Sequence, residues 1–119
     1  ENGGGELGEE LTREARRVAD QLAFDILREA QLNLSLSLAE SVQSHLVGAT
    51  GAKNRGIRTN LFYVLRNARI PAILVELGFV NNPNEGPRLA DPSYQDKLAD
   101  GLAEGILVFL RNGGTVARR

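Results

Sequence analysis

Residues 72–79 read Ala72-Ile73-Leu74-Val75-Glu76-Leu77-Gly78-Phe79. With Val80 they form a nearly continuous apolar run, which is the pattern of a strand buried on both faces of a sheet. Residues 61–65 (Leu-Phe-Tyr-Val-Leu) are aromatic and β-branched, and predict a second short strand. Pro71 separates the two runs, because proline has no N–H to donate to a ladder.

The N-terminal part of the chain predicts two helices. Apolar residues recur there at spacings of three and four, which predicts an amphipathic helix ending near Gln31: Leu11, Ala15, Val18, Leu22 and Ile26. Residues 32–38 then alternate as a strand would, but Ser37 followed by Glu40 forms a capping box. We therefore expect an extended connector and a second helix from Ser37 to about Val47.

The C-terminal part predicts two more helices. Asn82-Pro83 and Asp91-Pro92 each place a capping residue before a proline at the first helical position. Gly101 and Gly105 would let the last helix pack closely on a sheet, and Gly113-Gly114 end it. The predicted fold class is α/β, with helices packed on a mixed sheet.

Composition excludes several classes of protein. The chain has 119 residues, 42% hydrophobic and 24% charged, which is typical of one modest globular domain or part of one. No apolar run approaches the ~20 residues of a membrane helix, so no membrane span is expected. The absence of cysteine excludes disulfides and thiolate zinc sites. Because the chain lacks methionine and begins at Glu1, we expect it to be a piece of a longer gene product.

Charge is divided unevenly along the chain. Residues 1–48 carry a net charge of -5 and residues 49–119 a net charge of +4. Five basic residues and no acid lie between Lys53 and Arg69, which makes this stretch a candidate anion-binding surface. Nucleic-acid binding is disfavoured, because the run lacks the overall charge and partner aromatics that it requires. Phe62 and Tyr63 are expected in the core.

Glu76 is the one carboxylate in the apolar run. A buried carboxylate responds to desolvation with a raised pKa, and a pKa near neutrality suits a general acid or base. The alternative is a structural ion pair with a nearby arginine at the end of the strand. The residues alone leave both interpretations open.

Three stretches in close order resemble a known family: Asn54-Arg55-Gly56-Ile57-Arg58, Phe62-Tyr63-Val64-Leu65-Arg66-Asn67 and residues 71–83 with Val-Glu-Leu-Gly-Phe at their centre. Together with the helix containing Tyr94-Gln95, they resemble the C-terminal part of the zinc-dependent N-acetylmuramoyl-L-alanine amidases of bacterial cell-wall turnover. The resemblance is strongest from Ser37 to Leu110, and it implies that the chain is the C-terminal half of one amidase domain.

The resemblance also implies a chemistry. Two histidines and a glutamate hold one Zn²⁺ in this family, and the residue matching Glu76 takes a proton from the attacking water. The bond cut joins the lactyl group of N-acetylmuramic acid to L-alanine in peptidoglycan, which implies a periplasmic or cell-envelope location. The metal-binding motifs lie upstream in the family, and His45 is the only histidine here. We therefore assign no metal ligand to this chain and expect the zinc ligands on a missing N-terminal segment, which is also a partner of the chain.

Three segments follow from this resemblance. Residues 37–112 are expected to be the C-terminal half of the catalytic domain, and residues 113–119 a basic tail. Residues 1–36 resemble a helical insertion that covers the zinc in some members until an activator protein removes it. Its inhibitory carboxylate could come from Glu6, Glu9 or Glu10, and a solvated helix packed on the domain is an equal alternative.

Three arginines are candidate substrate-binding residues, because their guanidinium groups can bind stem-peptide carboxylates in a bidentate way: Arg55, Arg58 and Arg66. Arg66 could instead orient Glu76 from the neighbouring strand, and an exposed basic run can also be a solvated surface. Two other functions remain open. One is a non-catalytic wall-binding or regulatory module that keeps the fold, and the other is a related zinc peptidase.

Overall fold

The computed structural model describes residues 4–114 and contains four helical elements. They are α1 (Gly5–Thr50), a 3-10 turn (Tyr63–Leu65), α2 (Glu85–Ala90) and α3 (Pro92–Arg111). Residues 4–114 contain no β-strand, so the predicted α/β fold with a mixed sheet is wrong. Expectations about Glu1, Asn2 and the tail beyond Gly114 fall outside the described residues.

α1 is one continuous helix where the sequence predicted two helices and a connector. Leucine is a strong helix former, and the Ser35 hydroxyl donates to the Gln31 carbonyl at 2.9 Å, so this serine is satisfied within the helix. Leu34 and Leu38 belong to the alternating stretch that resembles a strand, but they are also four residues apart. This spacing continues to Val42 and Leu46, so it fits one face of a helix. α1 ends at Gly51, which has a φ of 70° and donates to the Val47 carbonyl.

The core forms where the C-terminal part of α1 packs antiparallel against α3. A Cβ at Gly101 would lie 3.1 Å from the Leu46 Cα, and one at Gly105 only 2.7 Å from the Val42 Cα. The buried Ser41 hydroxyl donates to the Gly105 carbonyl at 2.7 Å. The two glycines therefore permit close packing as predicted, but their partner is α1 and not a sheet.

The segment that was predicted as the buried strand lies against this helix pair. Ile73 and Val75 pack against the core cluster, whereas Leu74 and Glu76 are exposed. This alternation is that of an extended chain, but no second strand lies beside it within residues 4–114. A strand without a partner has no ladder and is not stable by itself, which is why the strand prediction failed.

The other predicted strand, residues 61–65, is also wrong. Its second half forms the 3-10 turn, in which the Leu65 N–H donates to the Phe62 carbonyl at 3.0 Å. Tyr63 is 76% exposed, so it does not belong to the core as expected, and Phe62 is half-buried.

The two C-terminal helices begin at local capping signals. The Asp91 side chain accepts from the Ser93 N–H at 3.0 Å and Pro92 is the first helical residue, as predicted. α2 begins at Glu85, two residues later than the predicted first helical position at Pro83. The predicted capping residue Asn82 lies three residues before the helix. Its side-chain oxygen accepts from the N–H groups of Asn84, the residue before α2, at 2.8 Å and of Glu85, its first residue, at 3.1 Å.

The N-terminal half of α1 projects away from the core. Residues 9–30 are exposed along their whole length, including the apolar stripe from Leu11 to Ile26. The predicted helix is therefore present, but its apolar face packs on nothing within residues 4–114. The molecule measures 79 × 33 × 19 Å, with a radius of gyration of 21.8 Å against about 13–14 Å for a compact chain of this length. Among the described helices, none is long and apolar enough to cross a membrane.

The contact between α1 and α3 predicts the effect of Gly105→Ala. The added methyl would meet backbone atoms of Val42 that cannot move aside, so we expect the free energy of unfolding to fall by about 1–3 kcal/mol in urea denaturation followed by circular dichroism. Gly48→Ala is the matched control, because no heavy atom lies within 4 Å of its new Cβ and alanine should stabilise the helix by about 0.5–1 kcal/mol. Equal effects of the two substitutions would contradict this packing.

Candidate functional site

A large cleft lies between α1 and the chain from Ala52 to Phe79. Its volume is ≈ 2600 Å³, and its walls include many apolar side chains of both segments. All four candidate site residues line it: Glu76, Arg55, Arg58 and Arg66. The structure therefore brings together in one cleft the residues that the sequence singled out separately.

Glu76 is exposed within this cleft, so the expected burial of its carboxylate is wrong. The expectation depended on strands on both sides of it, which the described residues do not supply. Within residues 4–114 no hydrogen bond or ion pair involves the Glu76 side chain. The alternative of a structural ion pair with an arginine is therefore not seen within residues 4–114 either, and the carboxylate lines the cleft without a protein partner there.

The chain leading to Glu76 is attached to α1. The Gln31 side-chain amide donates to the carbonyls of Ala68 at 2.6 Å and Ile70 at 2.9 Å. The Ser35 hydroxyl accepts from the Ala72 N–H at 3.0 Å. These three bonds hold the backbone four residues before Glu76 against the middle of α1.

Arg66 is held by the aromatic ring three residues before it. Its Nη2 donates to the Tyr63 hydroxyl at 3.0 Å, and the guanidinium carbon lies 3.7 Å from the centre of the Tyr63 ring. This is a cation–π contact, which positions the charge over an exposed ring. Within residues 4–114 there is neither the neighbouring strand nor the contact with Glu76 that the alternative role of Arg66, orienting Glu76, would require.

Arg55 and Arg58 differ in their contacts. Arg55 forms an ion pair with Glu85 at 2.9 Å and lies over the Phe79 ring at 5.4 Å from its centre. Arg58 is exposed and forms no such contact within residues 4–114. Of the two, Arg58 is the one whose guanidinium remains fully available to a carboxylate in the cleft.

The described residues do not fit a metal site. No group of three His, Cys, Asp or Glu side chains close enough to hold an ion occurs within residues 4–114. His45 is half-buried, and its Nδ1 lies 2.7 Å from the Ser41 carbonyl, which can only accept, so Nδ1 carries the hydrogen. It lies outside the cleft that contains Glu76.

A comparison with known families identifies the chain. The sequence model described as N-acetylmuramoyl-L-alanine amidase matches residues 13–108, which is most of the chain. The chain belongs to this amidase family. The resemblance inferred from the sequence is thereby confirmed for the family and for the enzyme class. The match begins at residue 13, so it includes the projecting part of α1 as well as the cleft.

Individual relatives are much longer than the matched region. The chain is 38% identical to the protein YqiI of Bacillus subtilis (strain 168) over 72 residues, which is 60% of this chain and 35% of YqiI. It is 34% identical to N-acetylmuramoyl-L-alanine amidase LytC of the same organism over 77 residues, 65% of this chain and 16% of LytC. No solved structure matches the chain.

A third relative aligns with almost the whole chain. It is N-acetylmuramoyl-L-alanine amidase AmiC of Escherichia coli O6:H1 (strain CFT073), 28% identical over 109 residues, which is 92% of this chain and 26% of AmiC. A match of this extent necessarily includes most of residues 1–36. The chain thus spans well under half the length of each of these three relatives.

Three residues at the site escaped the sequence analysis: Gln31, Ser35 and Glu85. Each acts through a backbone group or charge far away in sequence, so no local pattern marked it. The only available signal was weak, namely polar side chains at positions 31 and 35 beside leucines, where the sequence predicted the end of one helix and an extended connector.

The attachment of residues 68–72 to α1 predicts the effect of Gln31→Ala. Loss of its two bonds should favour local opening by about 1–2 kcal/mol, so the amides of residues 68–76 should exchange with deuterium about fivefold to thirtyfold faster, as measured by mass spectrometry. Gln21→Ala is the control, since Gln21 lies on the same helix and bonds only to Asp25 nearby. If both variants exchange alike over residues 68–76, the attachment is not what orders this segment.

Proposed function

We propose that the complete protein hydrolyses the amide bond between the lactyl group of N-acetylmuramic acid and the L-alanine of the peptidoglycan stem. The observation that carries the proposal is the family match over residues 13–108. The substrate is the one named in the family's description, and it implies a location outside the cytoplasm, in the periplasm or cell envelope.

Glu76 is the proposed general base. Its carboxylate lines the cleft and forms no contact of its own within residues 4–114, so it is free to accept a proton. Water adds its oxygen to the amide carbonyl carbon while Glu76 takes one of its protons. When the C–N bond breaks, Glu76 returns that proton to the departing amine of L-alanine, and it ends the cycle as it began.

Arg58 and Arg66 are the proposed contacts for the carboxylates of the stem peptide. Both line the cleft with Glu76, and their planar guanidinium groups bind carboxylates in a bidentate way. Arg55 lines the same cleft, but it already forms an ion pair with Glu85. It would have to share its guanidinium between that partner and the substrate.

Zinc, where the complete protein uses it, requires ligands from outside the described residues, because these contain no suitable group of three donors. The same observation favours a second candidate function, a wall-binding or regulatory module without catalysis. The two differ in what Glu76 does, since only hydrolysis requires its carboxylate. A peptidase with a related site would differ from both in its products.

Residues 1–36 are proposed to regulate the enzyme through an activator protein. The support is the exposed apolar stripe of α1, which packs on nothing within residues 4–114. Glu6, Glu9 and Glu10 lie at the far end of α1 and do not line the cleft, so the structure selects none of them as an inhibitory carboxylate.

The proposed base predicts the effect of Glu76→Gln. In the complete protein we expect a loss of muropeptide hydrolysis of about 10²–10⁴-fold, because glutamine cannot accept the proton of water. Glu40→Gln is the control, since Glu40 is an exposed glutamate of α1 outside the cleft, and its rate should be unchanged. If Glu76→Gln binds the cell wall fully and cells that carry this variant grow and divide like those with the unsubstituted protein, the non-catalytic module is supported instead. Product masses that correspond to peptide-bond cleavage would support the peptidase.

Regulation by the N-terminal segment predicts the effect of deleting residues 1–23, which leaves every residue that lines the cleft in place. The basal rate of hydrolysis by the complete protein should rise in the absence of any activator. A basal rate that stays the same or falls would show that this part of α1 does not restrain the enzyme.

A further inference from the structure

The chain that follows Glu76 is fixed to the beginning of α2 by one carboxylate. The Phe79 N–H donates to Oε2 of Glu85 at 2.9 Å. The Phe79 carbonyl in turn accepts from the Asn82 N–H at 3.1 Å, which closes the turn. Both backbone groups of Phe79 are therefore bound, and Phe79 lies only three residues beyond Glu76.

The second oxygen of the same carboxylate binds the basic loop. Nη2 of Arg55 donates to Oε1 of Glu85 at 2.9 Å, and the Glu85 side chain is only 24% exposed. The Arg55 guanidinium also lies over the Phe79 ring, with its carbon 5.4 Å from the ring centre. Charge-assisted hydrogen bonds are the stronger ones in proteins, and a partly buried one is less screened by water. Glu85 and Arg55 thus hold Phe79 by its backbone and by its ring.

Two glycines allow this close approach. A Cβ at Gly86 would lie 2.4 Å from the Val80 carbonyl oxygen, so no larger residue fits where the turn meets α2. Gly78 has a φ of 151°, which side-chain-bearing residues rarely adopt, and a Cβ there would contact Leu89 at 3.3 Å. The turn therefore contacts α2 at Glu85, Gly86 and Leu89, and the Glu85 carboxylate makes the polar contact.

We propose that Glu85, supported by Arg55, is the positioning residue for the base Glu76. The inference rests on the proposed function. The Glu76 side chain has no partner within residues 4–114, so its direction is set by the backbone that carries it. That backbone is attached at Ala72 to Ser35 and at Phe79 to Glu85, with Glu76 between the two attachments. Loss of the second attachment frees the end nearer to Glu76, and a displacement of about 1 Å costs about 10²-fold in rate.

The test is Glu85→Ala in the complete protein, with rates expressed per folded molecule from circular dichroism at the assay temperature. We expect kcat to fall by about 10–100-fold with KM changed less than about threefold, because the base is displaced while the proposed substrate contacts Arg58 and Arg66, which do not bind Glu85, stay in place. Glu85→Gln keeps an oxygen for the Phe79 N–H and should recover part of the rate.

Glu104→Ala is the matched control, because Glu104 also pairs with an arginine, Arg111 at 3.6 Å, but lies on α3 outside the cleft. A kcat for Glu85→Ala equal to that of Glu104→Ala, or a rise in KM alone, overturns the inference. If Glu85→Ala does not fold, Arg55→Lys is tested in its place, because lysine keeps the positive charge but lacks the planar guanidinium group. We then expect a smaller fall in kcat, again with KM nearly unchanged. Glu76→Gln is measured alongside. Hydrolysis that is retained in that variant refutes the proposed base, and no hydrolysis by the unsubstituted complete protein refutes the proposed function. Loss of hydrolysis in Glu76→Gln together with an unaffected Glu85→Ala refutes only the positioning role.

Discussion

The contact between α1 and α3 is the constraint on which the rest of the structure depends. Backbones can approach this closely only where one of them has no side chain, and Gly101 and Gly105 provide that surface opposite Leu46 and Val42. The Ser41 hydroxyl, buried at the same place, is satisfied by the Gly105 carbonyl. Partly buried side chains from outside the pair pack on it: Ile73 and Val75 from the chain that carries Glu76, and Leu89 from α2. The position of the candidate site therefore depends on two glycines that do not line it, on a helix whose first turns do, through Tyr94 and Leu98.

Structural features that depend on only a few neighbouring residues could be predicted from the sequence. The Asp91-Pro92 start of α3 is such a signal, because capping needs only the next helical turn. The spacing of leucines along α1 is another, since an apolar face can be recognised without knowing what it packs against. The stretch from Leu32 to Leu38 shows the limit of recognising an element from its apolar spacing, because alternating leucines fit a strand and a helix equally well. The helical residues on both sides of this stretch continue through it, so it forms part of α1.

Structural features that depend on a partner far away in the sequence could not be predicted. A strand exists only beside another strand, so residues 61–65 and 72–79 had the right composition and still formed no ladder within the described chain. The burial expected for Glu76 failed with them, since it depended on the same sheet. The family could nevertheless be recognised, because the ordered sequence stretches that carry it do not depend on the predicted fold. The residues that hold the site, such as Glu85 and Gln31, act on backbone atoms that only the structure brings near.

The continuity of α1 has a mechanical consequence. Between Gly8 and Gly48 the helix contains neither glycine nor proline, so nothing in the sequence supplies a hinge. Gln31 and Ser35 sit partway along this rod of 46 residues, about 69 Å long, and hold the segment that precedes Glu76. The projecting half and the turn that binds Ala72 therefore belong to one uninterrupted helix. A partner that tilted the projecting half as a rigid body would also shift the hydrogen bonds that hold the backbone before Glu76.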